Sequence, residues 1–234
     1  MSAFAWGVAA LLGAPAGQAL QAPNTTDYRD LYTQLDVQSA YHNPNFALEV
    51  QLVPHVHKYL RVAGPSLVGA GRAISLGCST GLGVSRLSKL GVDAFGVDVS
   101  DESVAIAKRL GRGDACSQPP CIQQASLLAL PFPRDHFAVG FSADVLEHIA
   151  PQDVPAVISE ITRVVTSALF LRVAAVQEFR KMKLGGKVVR LHLTTKGEPW
   201  WYAKFAAAGW TRMARSPLPR SNRKAVYLAL ERQH

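Results

Sequence analysis

Cysteine is scarce in this sequence, and its placement does not suggest a metal site. Only Cys78, Cys116 and Cys121 occur in 234 residues, which is too few for a fold held together by disulfides. Cys116 and Cys121 are close in the chain, but no histidine or further cysteine stands at zinc-ligand spacing. We therefore expect no metal ion, and whether these two cysteines form a local disulfide is left open.

Charged side chains are absent from the first 26 residues. An apolar run at 3–12 precedes several small residues, but a secretory signal normally starts with basic residues. The run is also too short and broken for a membrane-spanning helix. We interpret 1–26 as an N-terminal arm, with a targeting segment over 1–22 as the alternative. A cytoplasmic protein is favoured; a secretory or membrane-associated one would follow only from such a segment.

Several well-known signatures are also missing. No Ser-His-Asp spacing is present, and no internal repeat is visible. The nicotinamide dinucleotide fingerprint G-x-G-x-x-G is replaced by G-x-x-x-G-x-G, from Gly77 to Gly83. These absences argue against a triad hydrolase, a repeat protein and a nicotinamide-dependent dehydrogenase.

The chain does contain a regular alternation of strand-like and helix-like segments. Its composition, 48% hydrophobic and 18% charged, is that of a globular protein. The pattern predicts strands at 73–77, 94–99, 122–125, 137–143, 168–173, 210–215 and 225–230. It predicts helices at 27–37 and 45–61 before the first strand, the second of them kinked or divided at Pro54. It predicts intervening helices at 81–90, 101–110, 154–165 and 199–208, and a loop or hairpin at 181–190. This order indicates an α/β fold with a parallel sheet and helices on both faces.

The stretch "ISLGCSTGLG" at 74–83 predicts a ligand-binding turn between a strand and a helix. Gly77 and Gly81 allow a ligand to approach the backbone closely, and the helix start offers free N–H groups. Asp98 ends the next predicted strand, where its carboxylate can accept hydrogen bonds from ribose hydroxyls. Ligands of such sheets bind beyond the carboxyl ends of the strands.

Together with "FGVDVS" and "QASLLALPFPRDHFAVGFSADVLEHI", this stretch resembles the class I S-adenosylmethionine-dependent methyltransferases, and most closely their small-molecule type 11 branch. The resemblance covers about 72–175, and more loosely extends to 230. It implies a seven-stranded, mostly parallel Rossmann-like sheet with a last antiparallel strand and N-terminal lid helices. It divides the chain into an arm at 1–26, a helical lid and linker at 27–71, and a methyltransferase domain at 72–234.

The resemblance implies S-adenosyl-L-methionine as the cofactor. The residues that it assigns to the cofactor pocket are Gly77, Cys78, Ser79, Gly81, Asp98, Val99, Ser126, Leu127, Asp144 and Val145. Within this set the glycine-rich turn surrounds the methionine part, Asp98 binds the ribose and Val99 contacts the adenine. Ser126 and Leu127 flank the adenine, and the last two residues form the pocket floor.

Four positions depart from the family pattern. The family usually has an acid at Ser75, which holds the cofactor ammonium group, glycine at Ser79, and acids at Ser126 and Ala138. We expect Ser79 to fit if its φ angle is negative. Losing one hydrogen bond to a charged group costs roughly 1.5–3 kcal/mol, which weakens cofactor binding without abolishing it.

Few side chains are candidates for the chemistry. A hydroxyl acceptor usually needs a base, whereas an amine or thiol reacts with little help. His148, Glu147 and His192 are the candidate catalytic residues, with His148 as the first choice for a base. Tyr41 and His42 are candidates for substrate contact in the lid. Trp201 and Phe205 are predicted to pack in the core, with a stacking platform for a base as the alternative.

Positive charge is concentrated at the C-terminal end. Residues 173–234 carry 13 Lys and Arg against 3 acids, while 1–172 carry 12 against 14. The resemblance implies a small-molecule or sugar-like acceptor, and this positive charge makes an anionic one a candidate. An RNA methyltransferase is the alternative enzyme, and an inactive cofactor-binding or interaction module is the alternative class. No N-P-P-Y run is present, so DNA is not expected.

Overall fold

The structure is a computed structural model that describes Tyr32, 47–63, 71–177, 182–184 and 187–233, with no side chains described at 182–189. The predicted arm at 1–26 lies outside the described residues. So do Tyr41, His42 and all of the predicted helix at 27–37 except Tyr32, which is helical. No helix within the described part of the chain is apolar over a length that would cross a membrane.

The main sheet has seven strands: β1 (Ala73–Leu76), β2 (Ala94–Asp98), β3 (Ile122–Gln124), β4 (Phe137–Ala143), β5 (Val165–Ala174), β8 (Trp210–Arg212) and β9 (Ala225–Arg232). Their spatial order is β3-β2-β1-β4-β5-β9-β8. The first five are parallel, and β9 is antiparallel to both of its neighbours. The predicted seven-stranded, mostly parallel sheet is therefore confirmed. Outside it, β6 (Met182–Leu184) and β7 (Lys187–Val189) form the predicted hairpin.

Helices cover both faces of this sheet, as predicted. On one face α1 (Val53–Ala63), α2 (Leu82–Lys89) and α3 (Asp101–Arg109) pack around a core that includes Val56, Val84 and Ala107. On the other, α4 (Val154–Val164) and α5 (Glu198–Ala206) pack around a second core that includes Ile158 and Phe205. Because both faces are covered, the central strands β1 and β4 are buried along nearly their whole length, as is typical of parallel sheets.

The N-terminal helix predicted at 45–61 is divided in two. A short 3-10 helix spans Leu48–Gln51, and α1 begins at Val53. Pro54 lies in the first turn of α1, where its missing N–H costs no hydrogen bond. Buried Leu52, Val53 and Val56 attach both pieces to the sheet. This attachment places the residues before Pro54 beside the carboxyl ends of β1 and β4.

Candidate active site

A cavity of about 330 Å³ lies beyond the carboxyl ends of β1, β2 and β4. The strand ends, the turns that follow them and the N-terminal segment together form its walls. The residues that line it are Tyr32, Ala47, Leu48, Glu49, Gly77, Ser79, Val97, Asp98, Val99, Ser100, Ser103, Ala125, Ser126, Leu127, Leu128, Ala143, Asp144, Val145, His148 and Ile149. This is the edge of the sheet at which ligands of α/β proteins bind.

The turn after β1 approaches its neighbours too closely for larger residues. Gly77 has φ +78°, and a Cβ built there would lie 2.4 Å from the Val145 side chain. Ser79 has φ +47°, so the condition of a negative φ is not met, and the serine stands in the left-handed region that the family's glycine would adopt more easily. Its backbone N–H donates to the Asp98 carboxylate across 2.7 Å. Backbone strain of this kind is typical of functional turns.

Asp98 is fixed by the backbone on both sides. One carboxylate oxygen accepts the Ser79 N–H, and the other accepts the Ser100 N–H across 3.0 Å. An ionised carboxylate has about four acceptor sites, so these two bonds leave capacity for the hydroxyls of a ligand. Asp98 lines the cavity in the position that the sequence predicts for a ribose-binding residue.

Glu49 is a site residue that the sequence analysis missed. It is 4% exposed, and it lines the cavity from the 3-10 helix before α1. Its carboxyl group accepts hydrogen bonds from the Ser75 hydroxyl and, across 2.8 Å, from the Gly83 N–H. Ser75 is the position at which the family usually has an acid. A carboxylate from another part of the chain therefore reaches the place of the missing one.

The environment of Glu49 changes its protonation. Burial raises the pKa of its carboxyl group to about 7, and nearby Asp98 contributes in the same direction. The hydrogen bonds from Ser75 and Gly83, and the charge of Arg112, oppose this rise. One signal was available in the sequence, because Glu49 is the only acid between Asp36 and Asp93. An isolated acid in an apolar stretch is rarely buried without a purpose.

Most of the predicted cofactor residues line the cavity, and two do not. The eight that do are Gly77, Ser79, Asp98, Val99, Ser126, Leu127, Asp144 and Val145. Cys78 is fully buried and faces the core beside Gly96. Gly81 caps α2 with φ +73°, and a Cβ there would lie 2.2 Å from the Ile122 side chain. Cys78 and Gly81 thus shape the turn by packing, and neither faces the cavity.

Asp144 follows β4 in a left-handed conformation, with φ +56°. It forms an ion pair with Arg172 of β5. Burial raises the pKa of the Asp144 carboxyl group, and the Arg172 guanidinium opposes this rise. The ion pair connects the ends of neighbouring strands and fixes the floor of the cavity.

The three candidate catalytic residues lie together at the other end of the cavity. Ligand atoms of Glu147, His148 and His192 are all within 4.8 Å of one another, although only His148 lines the cavity. The backbone carbonyl of Glu147 accepts N–H bonds from Leu193 and Thr194, at 2.7 and 2.9 Å. These bonds bring the coil at 190–197 to the 3-10 helix at Leu146–His148.

Each histidine has one ring nitrogen fixed by a backbone carbonyl. His148 Nδ1 lies 3.0 Å from the Leu191 carbonyl, and His192 Nδ1 lies 2.6 Å from that of Val176. A carbonyl only accepts, so in both rings Nδ1 carries the hydrogen and Nε2 carries the lone pair. The rings are 5.0 Å apart, and Tyr32 lies edge-on to His148 at 5.6 Å.

Burial decides between the two readings of the aromatic segment at 198–210. Trp201, Phe205 and Trp210 are at most 1% exposed and belong to the core. They cannot stack on a base from solvent.

In the basic C-terminal part, Arg212 pairs with Glu198 and lies over the Tyr202 ring. Cys116 and Cys121 form a disulfide, with Cα atoms 5.7 Å apart.

Comparison with known proteins agrees with this geometry. Residues 74–169 match the family model of a type 11 methyltransferase domain. No sequence among curated proteins matches significantly.

Solved structures share the fold at low identity. The magnesium protoporphyrin IX methyltransferase of Synechocystis PCC 6803, solved with S-adenosylmethionine, has a TM-score of 0.63 at 18% identity, covering 92% of this chain and 100% of that one. The PH0226 protein of Pyrococcus horikoshii OT3 has a TM-score of 0.62 at 15% identity, and the match covers 85% of this chain and 97% of that one. The [4+2]-cyclase SpnF has a TM-score of 0.54 at 18% identity, and the match covers 82% of this chain and 75% of that one. Residues 74–169 thus match a type 11 methyltransferase domain, and the chain shares the fold of a solved methyltransferase that binds S-adenosylmethionine.

Proposed function

We propose that this enzyme transfers a methyl group from S-adenosylmethionine to a small-molecule acceptor that binds beside His148. The observation that carries the proposal is the cavity itself, which runs from Asp98 to His148 and is walled by Ala47 and Leu48 of the N-terminal segment. Its volume of about 330 Å³ is in the range of small-molecule sites. The magnesium protoporphyrin IX methyltransferase, a relative in fold, is named for a small-molecule acceptor.

The residues present fit the cofactor. The Asp98 carboxylate retains acceptor capacity toward ribose hydroxyls, as described above. The Glu49 carboxyl group is buried among neutral donors, Ser75 and Gly83, and lines the cavity near the turn after β1. A buried carboxylate is stabilised by an adjacent cation. Glu49 is therefore suited to bind the cofactor ammonium group in place of the acid missing at Ser75.

The bound cofactor supplies an electrophilic methyl group on a sulfonium, and the protein supplies position and proton transfer. The Leu191 carbonyl holds the His148 ring so that Nε2 is the basic nitrogen. That nitrogen can accept a proton from an acceptor hydroxyl. Tyr32 contacts the same ring and contributes to the wall of the acceptor end. A hydroxyl acceptor is thus the class that this arrangement serves best.

Titration with S-adenosylhomocysteine, followed by a methylation screen with isotopically labelled cofactor, tests the proposal. Micromolar binding and label transfer to a fraction of small metabolites are expected. Transfer to RNA instead would establish the alternative enzyme. Absence of binding at millimolar ligand would establish a methyltransferase-like module without activity, in line with the serines at positions 75, 79 and 126.

A further inference from the structure

The cluster of Glu147, His148 and His192 has the composition of a metal site. Two imidazoles and one carboxylate are the ligand set of several mononuclear zinc and iron centres. Their ligand atoms lie within 4.8 Å of one another. Bonds of about 2.0–2.2 Å to a tetrahedral ion require separations of roughly 3.4 Å, so atoms 4.8 Å apart would have to move together by about 1.4 Å. The chain positions of Glu147 and His192 are too far apart for sequence spacing to predict this set.

A second, independent observation concerns Glu147 alone. Its side chain is completely buried, and neither carboxylate oxygen makes a hydrogen bond of good geometry to a described residue, although Asp144 and the Ala174 backbone lie close to it. Burying an uncompensated carboxyl group costs several kcal/mol. A cation bound between the carboxylate and the two imidazoles would supply the missing partner.

The hydrogen bonds of the histidines point the same way. Metal-binding histidines commonly donate their second ring N–H to a carboxylate or a backbone carbonyl, which fixes the tautomer and the ring orientation. His148 and His192 each make such a bond through Nδ1, to Leu191 and Val176. Both rings therefore have Nε2 as the nitrogen that can bind a metal ion.

We propose that Glu147, His148 and His192 bind a divalent transition-metal ion, of the zinc, manganese or iron class, at the acceptor end of the cavity. Imidazole nitrogens select these ions over calcium and magnesium, which prefer all-oxygen sites. Because His148 lines the cavity, an ion there can bind an acceptor oxygen and favour its deprotonated form. With the ion bound, the Nε2 lone pair of His148 is coordinated, so the ion replaces His148 as the group that promotes loss of the hydroxyl proton. This last role rests on the proposed methyl transfer, whereas binding of the ion does not.

The test uses untagged full-length protein and the metal alone. Calorimetric titration with Zn²⁺ and Mn²⁺, and the visible absorption of added Co²⁺, report binding and the nature of the ligands without any turnover. We expect one equivalent to bind. Glu147→Gln and His192→Ala should each weaken the affinity for the ion by more than the roughly 10- to 100-fold that removal of a supporting residue costs. His57→Ala, on α1 away from the cluster, is the matched control and should bind normally.

Separate outcomes decide the two proposals. The metal site would be overturned if none of the three ions bound when one equivalent was added to micromolar protein. It would also be overturned if Glu147→Gln and His192→Ala left the binding unchanged. S-adenosylhomocysteine titrated in parallel reports on the cofactor site alone, so the metal proposal can fail while the proposed function stands. Circular dichroism of Glu147→Gln, which keeps the shape of the side chain, checks that any loss is not unfolding.

Discussion

At the scale of single residues, two carboxylates dominate the end of the cavity that we propose for the cofactor. Asp98 is supplied by the sheet and Glu49 by the N-terminal segment. Asp98 has backbone donors on both oxygens, whereas Glu49 is surrounded by a hydroxyl, one N–H and apolar groups. The two should therefore respond differently to substitution and to pH.

Replacement of Asp98 by alanine should weaken S-adenosylhomocysteine binding by about 2 kcal/mol, the cost of a lost hydrogen bond to a charged group. Calorimetric titration measures the change, and thermal unfolding checks the fold, because the Ser79 and Ser100 N–H groups also lose their acceptor. A change in affinity of less than twofold in a folded variant would mean that the cofactor binds elsewhere.

Glu49 should make cofactor affinity depend on pH. An ammonium ion favours the ionised carboxyl group, so its pKa of about 7 in the free protein should fall on binding. Affinity for S-adenosylhomocysteine should then increase as pH rises toward 7 and level off above it. Glu49→Gln should remove this pH dependence and should weaken S-adenosylhomocysteine binding by roughly 10- to 100-fold at pH 8. Parallel affinity profiles in the two proteins would exclude Glu49 from ammonium binding.

The stability of the unliganded protein should show the opposite trend. The pKa of Glu49 is about 7 in the folded chain against an ordinary value of 4.5, so the folded state holds the proton more tightly. This contribution to the free energy of unfolding is fully present below the unfolded pKa. As pH rises through about 7 it is lost, and the total is on the order of 3 kcal/mol. The difference between wild type and Glu49→Gln in denaturant unfolding isolates it.

At the scale of elements, α2 and the N-terminal 3-10 helix are interdependent. Gly83 in α2 donates to Glu49, and a Cβ built on Gly83 would lie 2.6 Å from the Glu49 carboxylate oxygen. The close approach of the two elements therefore requires glycine in a helix, where it normally costs roughly 0.5–1 kcal/mol relative to alanine.

A double-mutant cycle tests this dependence. Gly83→Ala alone should destabilise the protein and weaken S-adenosylhomocysteine binding, because Glu49 is displaced. In a Glu49→Ala background the same substitution should stabilise by roughly 0.5–1 kcal/mol, the ordinary helix effect. Urea unfolding of the four proteins gives the coupling energy. If Gly83→Ala stabilises in both backgrounds, the contact does not constrain α2.

The helix α5 contributes to the core and offers no buried aromatic to a ligand. Trp201 is fully buried between α5 and the sheet. Trp201→Ala should therefore cost about 3–5 kcal/mol in the free energy of unfolding, measured by urea denaturation. Trp200→Ala, at the half-buried neighbour, is the control and should cost clearly less. If both substitutions lowered the free energy of unfolding by the same small amount, Trp201 would again be a candidate for stacking on a ligand.

At the scale of the whole molecule, we expect that the exposed Lys and Arg side chains do not bind a long nucleic acid tightly. Arg215, Arg220, Arg223 and Lys224 are exposed, but the aromatic side chains of α5 are largely turned to the core. RNA retention measured from low to physiological salt should thus be weak and lost at physiological salt. Binding that uses many phosphates instead falls with a steep salt slope from a high starting affinity. Submicromolar RNA binding at physiological salt would contradict this expectation.

The sequence alone determined the sheet and most of the cofactor end of the cavity. Strand and helix periods, the glycine turn and Asp98 are local features, and the strand ends of a parallel sheet meet at one edge whatever the loops do. The family resemblance assigned Cys78 and Gly81 to the cavity with the rest of the turn, but a turn has two sides and spacing does not distinguish them. The φ of Ser79 likewise depends on its bond to Asp98.

Only the tertiary structure decided what comes from distant parts of the chain. Glu49 reaches the place of the acid missing at Ser75 because Leu52, Val53 and Val56 anchor its segment to the sheet. His192 reaches His148 because its coil is hydrogen-bonded to the Glu147 carbonyl. Both depend on long-range packing, which leaves no period or spacing in the sequence. The physical reason is that local patterns encode elements, whereas burial and hydrogen bonding between elements determine which side chains meet.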